Sequence, residues 1–255
     1  MASGEVLTVH RGWKDTGKHV WSPFVIKLEA RLRFGGLAYR TAGIPYVEFS
    51  PSPQQGDALG DSGLIIRALT ERGLLPDLNA RLGGEERARD LAVRAMLEDR
   101  LCFYHARERW VDNYYTMREH IFGAMPYPLR VVIGLLAFRG IQATLHGQGT
   151  GRFTADEVAG FRREIWEGVD ALLAASKNKR DKTGSKDDEE GEPFWVLGGE
   201  QPTEADATVF GFVVSVLICT AAPDSREVVK GFPVVLEYAE RIQDRYFPDY
   251  EKWAV

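Results

Sequence analysis

The sequence predicts two unequal parts, a small α/β layer up to about residue 75 and helices almost throughout the rest. Three observations predict it. Short β-rich runs occur only near the N-terminus, apolar residues recur at helical spacing from Gly84 onward, and two helix starts carry capping boxes. In the first part, Glu5 to His10 reads as a strand and Trp13 to Val20 as a polar connection. Ser22-Pro23 then opens a helix with Phe24, Leu28 and Leu32 at i, i+4 and i+8, ended by Gly35-Gly36. Leu37 to Arg40 and Tyr46 to Phe49 are strand-like, a Pro/Gly/Gln-rich loop covers Ser50 to Gly60, and Asp61 starts a helix over Ser62 to Arg72, stopped by Gly73. In the second part, Glu85 to Trp110 and Pro126 to Leu145 read as long helices. Thr154-Ala155-Asp156-Glu157 places a hydroxyl at N-cap and a carboxylate at N3, ahead of Val158, Phe161, Ile165, Val169 and Leu172. Thr203-Glu204-Ala205-Asp206 repeats the pattern ahead of a helix with almost no charge, which predicts a central, buried element. Ser176 to Pro193 is Lys-rich and then Asp/Glu-rich, with almost no apolar residue, and reads as a mobile charged loop.

Composition narrows the function classes. The chain has 255 residues, 44% hydrophobic and 27% charged, with a net charge of −5, and its mean hydropathy is −0.25. A net negative chain has no bulk attraction for a polyanion, so nucleic acid is not an expected partner. Its two cysteines, Cys102 and Cys219, form no Cys-x-x-Cys, and no His/Cys cluster has zinc-ligand spacing, so no metal site is expected. The N-terminus lacks a basic stretch followed by an apolar run. The longest apolar stretch, Val131 to Phe138, is broken by Gly134 and flanked by Arg130 and Arg139, short of the approximately 20 residues a spanning helix needs. These features predict a soluble cytoplasmic protein in a reducing compartment, with no membrane span.

Three places could carry chemistry. Ser22 with Pro23 is the preferred opening of any helix, yet the same N-terminus presents N–H donors and a partial positive charge that stabilise a thiolate. Ile44-Pro45-Tyr46 begins a strand with proline. Asp61-Ser62 is either an ordinary N-cap or a receptor for a zwitterion, with amides for a carboxylate and Asp61 for an ammonium.

In their order these stretches resemble the glutathione transferase superfamily, and within it the metaxin and failed-axon-connections branch. The resemblance rests on Ser22-Pro23-Phe24-x-x-Lys27-x-Glu29, Ile44-Pro45-Tyr46, Gly60-Asp61-Ser62, Gly147-x-Gly149-x-Gly151-Arg152 and Gly198-Gly199-x-x-Pro202-Thr203-x-Ala205-Asp206-Ala207. It implies an α/β thioredoxin-like N-terminal domain over 1–78, an all-α C-terminal domain over 79–255 with the charged loop 176–193, and glutathione as co-substrate in the cleft between them. By the same resemblance Ser22 stands nearest the glutathione sulfur, Ile44 offers its backbone to the cysteinyl unit before a cis Pro45, and Asp61 and Ser62 hold the γ-glutamyl end. The Thr203 and Asp206 box is assigned to stability. A homodimer is implied on the same footing.

Two departures qualify the likeness. Val25 stands where the branch often has Cys, which argues against thiol–disulfide exchange. Thr41-Ala42-Gly43 stands where the family has a helix; crossing the first strand takes about 9.6 Å against a reach of about 10 Å. The sequence therefore implies a deletion opening one wall of the site, or residues missing from the chain. Other constellations are weaker: His105-x-x-Glu108 lacks the second pair a bundle metal site needs, Tyr104, Arg107 and Trp110 could border a hydrophobic pocket, and the Gly147 to Gly151 run is a tight turn rather than a phosphate loop. The expected activity is transfer of the glutathione thiolate to an apolar electrophile, with Ser22 as donor to the thiolate. The alternative is a transferase-like fold kept as a non-catalytic binding or scaffold module.

Overall fold

A computed structural model of the chain describes residues 7–12, 16–42, 47–48, 60–183 and 192–254. The N-terminal part holds β1 (Leu7–His10), α1 (Pro23–Phe34), β2 (Tyr39–Ala42), β3 (Val47–Glu48) and α2 (Ser62–Glu71). The sheet order is β2-β1-β3. β2 runs parallel to β1 with Leu7 opposite Tyr39, and β3 runs antiparallel with Val9 opposite Val47. Among the described residues β1 and β3 lie within their predicted bounds, and β2 is shifted two residues toward the C-terminus. Residues 43–46, where the short link is expected, lie outside the described residues, as do residues 49–59, which hold most of the expected Pro/Gly/Gln-rich loop.

Both helix starts in this part form as the capping residues dictate. Ser22 is the N-cap of α1 with Pro23 in its first turn, and Gly35 closes it; Asp61 is the N-cap of α2. Leu7 and Val9 of β1 pack on Leu28 and Leu32 of α1 and on Ile65, Ile66 and Leu69 of α2, which makes a small core on one face of the sheet. Period-two burial along β1 and near-4 spacing on α1 together account for it.

The helical part begins with α3 (Gly84–Ala95) and continues without a break through a π-helical turn, α4 (Cys102–Arg107) and a second π-helical turn ending at Asp112. That run corresponds to the single helix predicted over 85–110, with two wide turns that the periodicity did not show. After it come α5 (Tyr114–Phe122), α6 (Tyr127–Gln148), α7 (Ala155–Thr183), α8 (Glu204–Ile218), α9 (Pro223–Lys230) and α10 (Pro233–Tyr246). The Thr154 box forms: its amide donates to Glu157 Oε2 at 2.8 Å, and the Glu157 amide donates back to its hydroxyl at 3.2 Å. α8 is the central helix, buried from Ala205 to Leu217. Asp206 fixes its start by accepting from Val196 N at 2.7 Å, Thr203 N at 2.8 Å and Tyr238 Oη at 2.9 Å.

Two expectations are corrected. The charged stretch does not begin as a loop, because residues 176–183 continue α7. Its polar groups are engaged: Ser176 Oγ donates to Val196 O at 2.9 Å, Lys177 pairs with Glu237 of α10 at 2.6 Å, and Arg180 donates to Pro193 O at 2.8 Å. A charge run that finds partners on packed neighbours is no longer a solvated coil. Residues 184–191 lie outside the described residues. The second correction concerns α6, which extends over 22 residues with a mean hydropathy of 1.3 in its most apolar window, and so is long and apolar enough to cross a membrane. Helix geometry, rather than an unbroken apolar run, sets that length.

α1 is the element common to both cores. Its Leu28 and Leu32 face the sheet, while Ile26 and Ala30 join the large core built on α8. The two helices are in tight contact at Gly211, where an added Cβ would lie 2.6 Å from Pro23 O and 2.9 Å from Lys27 N. We expect Gly211→Ala to destabilise the fold by about 1–3 kcal/mol through overpacking, read as a lowered denaturant midpoint at unchanged slope.

The C-terminal segment closes over α1 through His19. Its ring donates from Nε2 to Gln243 Oε1 at 2.7 Å, since the Gln243 amide nitrogen itself donates to Phe247 O and Tyr250 O. Phe247, Tyr250 and Trp253 surround it. Burial lowers the His19 pKa from 6.5 to about 4. A folded-state value below the unfolded one means stability present above the unfolded pKa and lost as pH falls toward the folded one. Wild type should therefore lose about 3 kcal/mol relative to His19→Gln between pH 6.5 and 4, measured by urea unfolding across that range.

Candidate functional site

The carboxyl end of β1 and the amino ends of α1 and α2 meet at one cleft of about 260 Å³, lined by Val9, His10, Ser22, Phe24, Val25, Leu28, Gly60, Asp61, Ser62 and Ile65. The position follows from the topology. A β-strand feeding a helix leaves the strand's carboxyl end and the helix N-terminus at the same pole of the layer, where ligands of open α/β sheets bind. Two helix N-termini therefore aim their first-turn amides, and their positive dipole ends, into one space.

Of the residues expected to form a site, the structure brings Ser22, Asp61 and Ser62 together here. Ile44 and Pro45 lie outside the described residues, and with them the isomer of the bond between them. Ser22 accepts from the Val25 amide at 3.4 Å, a long cap, and its hydroxyl hydrogen is not used in that contact. Asp61 accepts from the Leu64 amide at 2.9 Å through Oδ1, and its side chain stands at the exposed rim. Ser62 is buried beneath it. The lower wall is apolar: Val9, Leu28 and Ile65 belong to the small core.

His10 is a polar lining residue that sequence reasoning missed. It ends β1 and shares the cleft with Ser22, and the usable signal was its place at the last position of the first strand rather than any spacing to other histidines. Val25 lines the cleft where a cysteine would have stood. Neither cysteine of the chain is among the lining residues. Burial pushes the Cys102 thiol up to about 11, and raises Cys219 as well.

The other constellations resolve into structure. Tyr104 is buried against Phe161, Arg107 donates to Phe153 O at 2.7 Å, and Trp110 packs near Met117. They do not enter the cleft. Glu108 is buried, paired with Arg162 at 2.8 Å and accepting from the Ser225 amide at 3.0 Å, so it ties α7 and α9 together. His105 is buried against Trp166 and Phe212, and desolvation holds its pKa well below the usual imidazole value. Among the described residues no group of His, Cys, Asp and Glu could hold a metal ion.

Comparison with known proteins gives the same architecture. Residues 23–117 match the family described as Glutathione S-transferase N-terminal domain, and residues 191–242 match Glutathione S-transferase, C-terminal domain. The two matches together span more than half of the chain. The glutathione transferase GSTFuA3 of Phanerochaete chrysosporium is 15% identical with a TM-score of 0.56, over 99% of this chain and 100% of that one. Glutathione transferase Omega 3C of Trametes versicolor is 12% identical with a TM-score of 0.53, over 99% and 88%. Ure2p, solved in complex with glutathione, is 14% identical with a TM-score of 0.52, over 95% and 91%. Likeness at this identity concerns the fold, a thioredoxin-like layer followed by an all-helical part.

The two thiols provide a check on the site's chemistry. With both pKa values raised by burial, the native chain at pH 8 should react with a thiol-specific disulfide reagent far more slowly than the same chain in denaturant. Rapid native labelling would place an activated cysteine in the molecule and contradict the burial argument.

Proposed function

This chain belongs to the glutathione transferase superfamily, and on that footing we propose that it binds glutathione in the Ser22, Asp61 and Ser62 cleft and transfers its thiolate to a small apolar electrophile. The observation that carries the reading is the convergence of two capped helix N-termini on one cleft with an apolar floor. In this reading residues 1–78 form the glutathione-binding domain and 79–255 the helical domain. Asp61, with its Oδ1 held by Leu64, presents its second oxygen to the γ-glutamyl ammonium, and the amide end of α2 at Ser62 faces the γ-glutamyl carboxylate. Ile44 contributes backbone to the cysteinyl unit ahead of Pro45. Ure2p, whose structure contains glutathione, has the same fold and supports the choice of tripeptide.

Ser22 acts on the sulfur. The S–H proton leaves to solvent, and the thiolate is stabilised by the Ser22 hydroxyl hydrogen and the positive end of α1. The sulfur then forms a bond to the electrophilic carbon, whose electron pair departs with the leaving group or moves to the acceptor. A cytoplasmic location fits a reduced thiol co-substrate and two free cysteines. The wording around Ser22-Pro23-Phe24 and Thr203 to Ala207 supports a place near the metaxin branch. The second reading, a non-catalytic glutathione carrier or scaffold, is favoured by one observation: the Ser22 oxygen already serves α1 as its cap.

Retention on immobilised glutathione followed by a conjugation assay with a generic aryl halide separates the readings. Ser22→Ala should lower turnover about 100- to 1,000-fold and leave glutathione retention and the melting temperature nearly unchanged, because a 3.4 Å cap is weak. Retained turnover with a lowered melting temperature reduces Ser22 to a cap; retention without turnover in wild type selects the carrier; no retention removes the glutathione reading.

A further inference from the structure

We propose that Arg109, acting through the carbonyl of Trp21, positions and polarises the peptide that leads into Ser22, and that the anion its buried charge answers is the thiolate of glutathione. The inference rests on the glutathione reading and adds to it a positioning residue of the helical part that does not itself line the cleft.

A buried cation is costly unless a carboxylate pairs with it. Other buried cations of the chain obey that rule: Lys27 pairs with Glu98, Arg31 with Glu204, Arg11 with Glu29 and Arg162 with Glu108. Arg109 does not. It is buried, and its guanidinium donates to Trp21 O at 3.0 Å through Nη1 and to Ser215 Oγ at 3.0 Å and Ser215 O at 3.4 Å through Nη2. Among the described residues no carboxylate pairs with it. The adjacent Glu108 is committed to Arg162 and to the Ser225 amide. An arginine stays charged, so a full positive charge is fixed here with only neutral oxygens around it.

Its place gives that charge a use. Arg109 lies in the second π-helical turn, a feature frequent at functional sites. The oxygen it grips belongs to the residue before Ser22 and also accepts from Ser215 Oγ at 2.5 Å. The Trp21 ring stacks on His120 of α5 with centroids 3.4 Å apart, so ring and carbonyl are both held. In a trans peptide the N–H is antiparallel to the C=O. A Trp21 carbonyl held toward Arg109 therefore directs the Ser22 N–H away from it, and the cation on the oxygen strengthens that N–H as a donor. Ser22 lines the cleft, whose other titratable lining residues are His10 and Asp61. The charge already acts on thiols in the required sense, because it opposes the burial-driven rise at both Cys102 and Cys219; His105 lies in the same field.

The test titrates the ultraviolet thiolate band of glutathione bound at saturation to the full chain, with the melting temperature of each variant recorded. Arg109→Gln, which keeps a donor and loses the charge, should raise the apparent pKa of the bound thiol by about one unit and leave retention on immobilised glutathione unchanged. Arg109→Lys, which keeps the charge and cannot span Trp21 and Ser215 together, should titrate close to wild type. Both variants lose the fork, so a merely structural role moves both alike. Ser215→Asp supplies the missing carboxylate with Arg109 in place; it should raise the thiol pKa as Arg109→Gln does, and it carries the test if Arg109→Gln does not fold. A wild type that shows no thiolate band overturns the glutathione reading and this inference with it. A band that the Gln and Asp variants leave unmoved, or that Gln and Lys move equally, overturns this inference alone and leaves Arg109 as a structural tie.

Discussion

The crossing of α1 over α8 at Gly211 is the contact on which the rest of the structure depends. With no side chain at that position, the α8 backbone comes against Pro23 O and Lys27 N, at the first turn of α1. The first turn is also where Ser22 caps the helix and where the cleft opens. The large core of the helical part therefore determines, through one glycine, where the N-terminal layer presents its amides.

Around that contact α1 is held by buried charge as well as by apolar packing. Lys27 pairs with Glu98 at 2.7 Å, Arg31 with Glu204 at 2.6 Å, and Glu29 with Arg11 at 3.3 Å, with Tyr250 Oη donating to Glu29 at 2.7 Å. Lys27, Glu29 and Arg31 are almost wholly buried. Desolvation raises the Glu29 pKa, and Arg11 and the Tyr250 hydroxyl oppose that rise. Buried pairs of this kind contribute little net stability over apolar replacements, but breaking one leaves an uncompensated charge. Their effect is selective: each is satisfied only when α1 sits in one register against α8 and the C-terminal segment.

The same residues show where sequence reading succeeds and where it stops. Phe24, Leu28 and Leu32 gave the helix and one buried face, and Ser22-Pro23 gave its start, because capping and periodicity are local. Lys27, Glu29 and Arg31 lie at several angles around the same helix, and although charged they are almost wholly buried, which no local spacing signals. Local periodicity cannot report a second layer arriving from a helix almost 180 residues later. The cleft was half legible for a related reason. Ser22, Asp61 and Ser62 announced themselves as caps, whereas His10 and Val9 line the space only because β1 ends there, a fact of topology. The charged run after Ser176 misled because its partners, Glu237 and the carbonyl of Pro193, lie on elements that composition alone does not bring near.

The two caps at the cleft differ in a way that assigns them different capacities. Asp61 holds the Leu64 amide at 2.9 Å, a normal charge-assisted bond that commits one carboxylate oxygen and leaves the other at the rim. Ser22 holds Val25 at 3.4 Å, beyond the usual range, so its hydroxyl is only loosely committed to its own helix. A hydroxyl in that state can turn its hydrogen toward a ligand at small cost to α1, while the free carboxylate oxygen of Asp61 stands beside the first turn of α2. In the proposed reading the cleft has an anion-stabilising pole at α1 and, at α2, a carboxylate oxygen and first-turn amides side by side for a cation and an anion. That polarity matches a ligand with a nucleophilic anion at one end and a zwitterion at the other, and it arises from nothing more than the choice of Ser at one N-cap and Asp at the other.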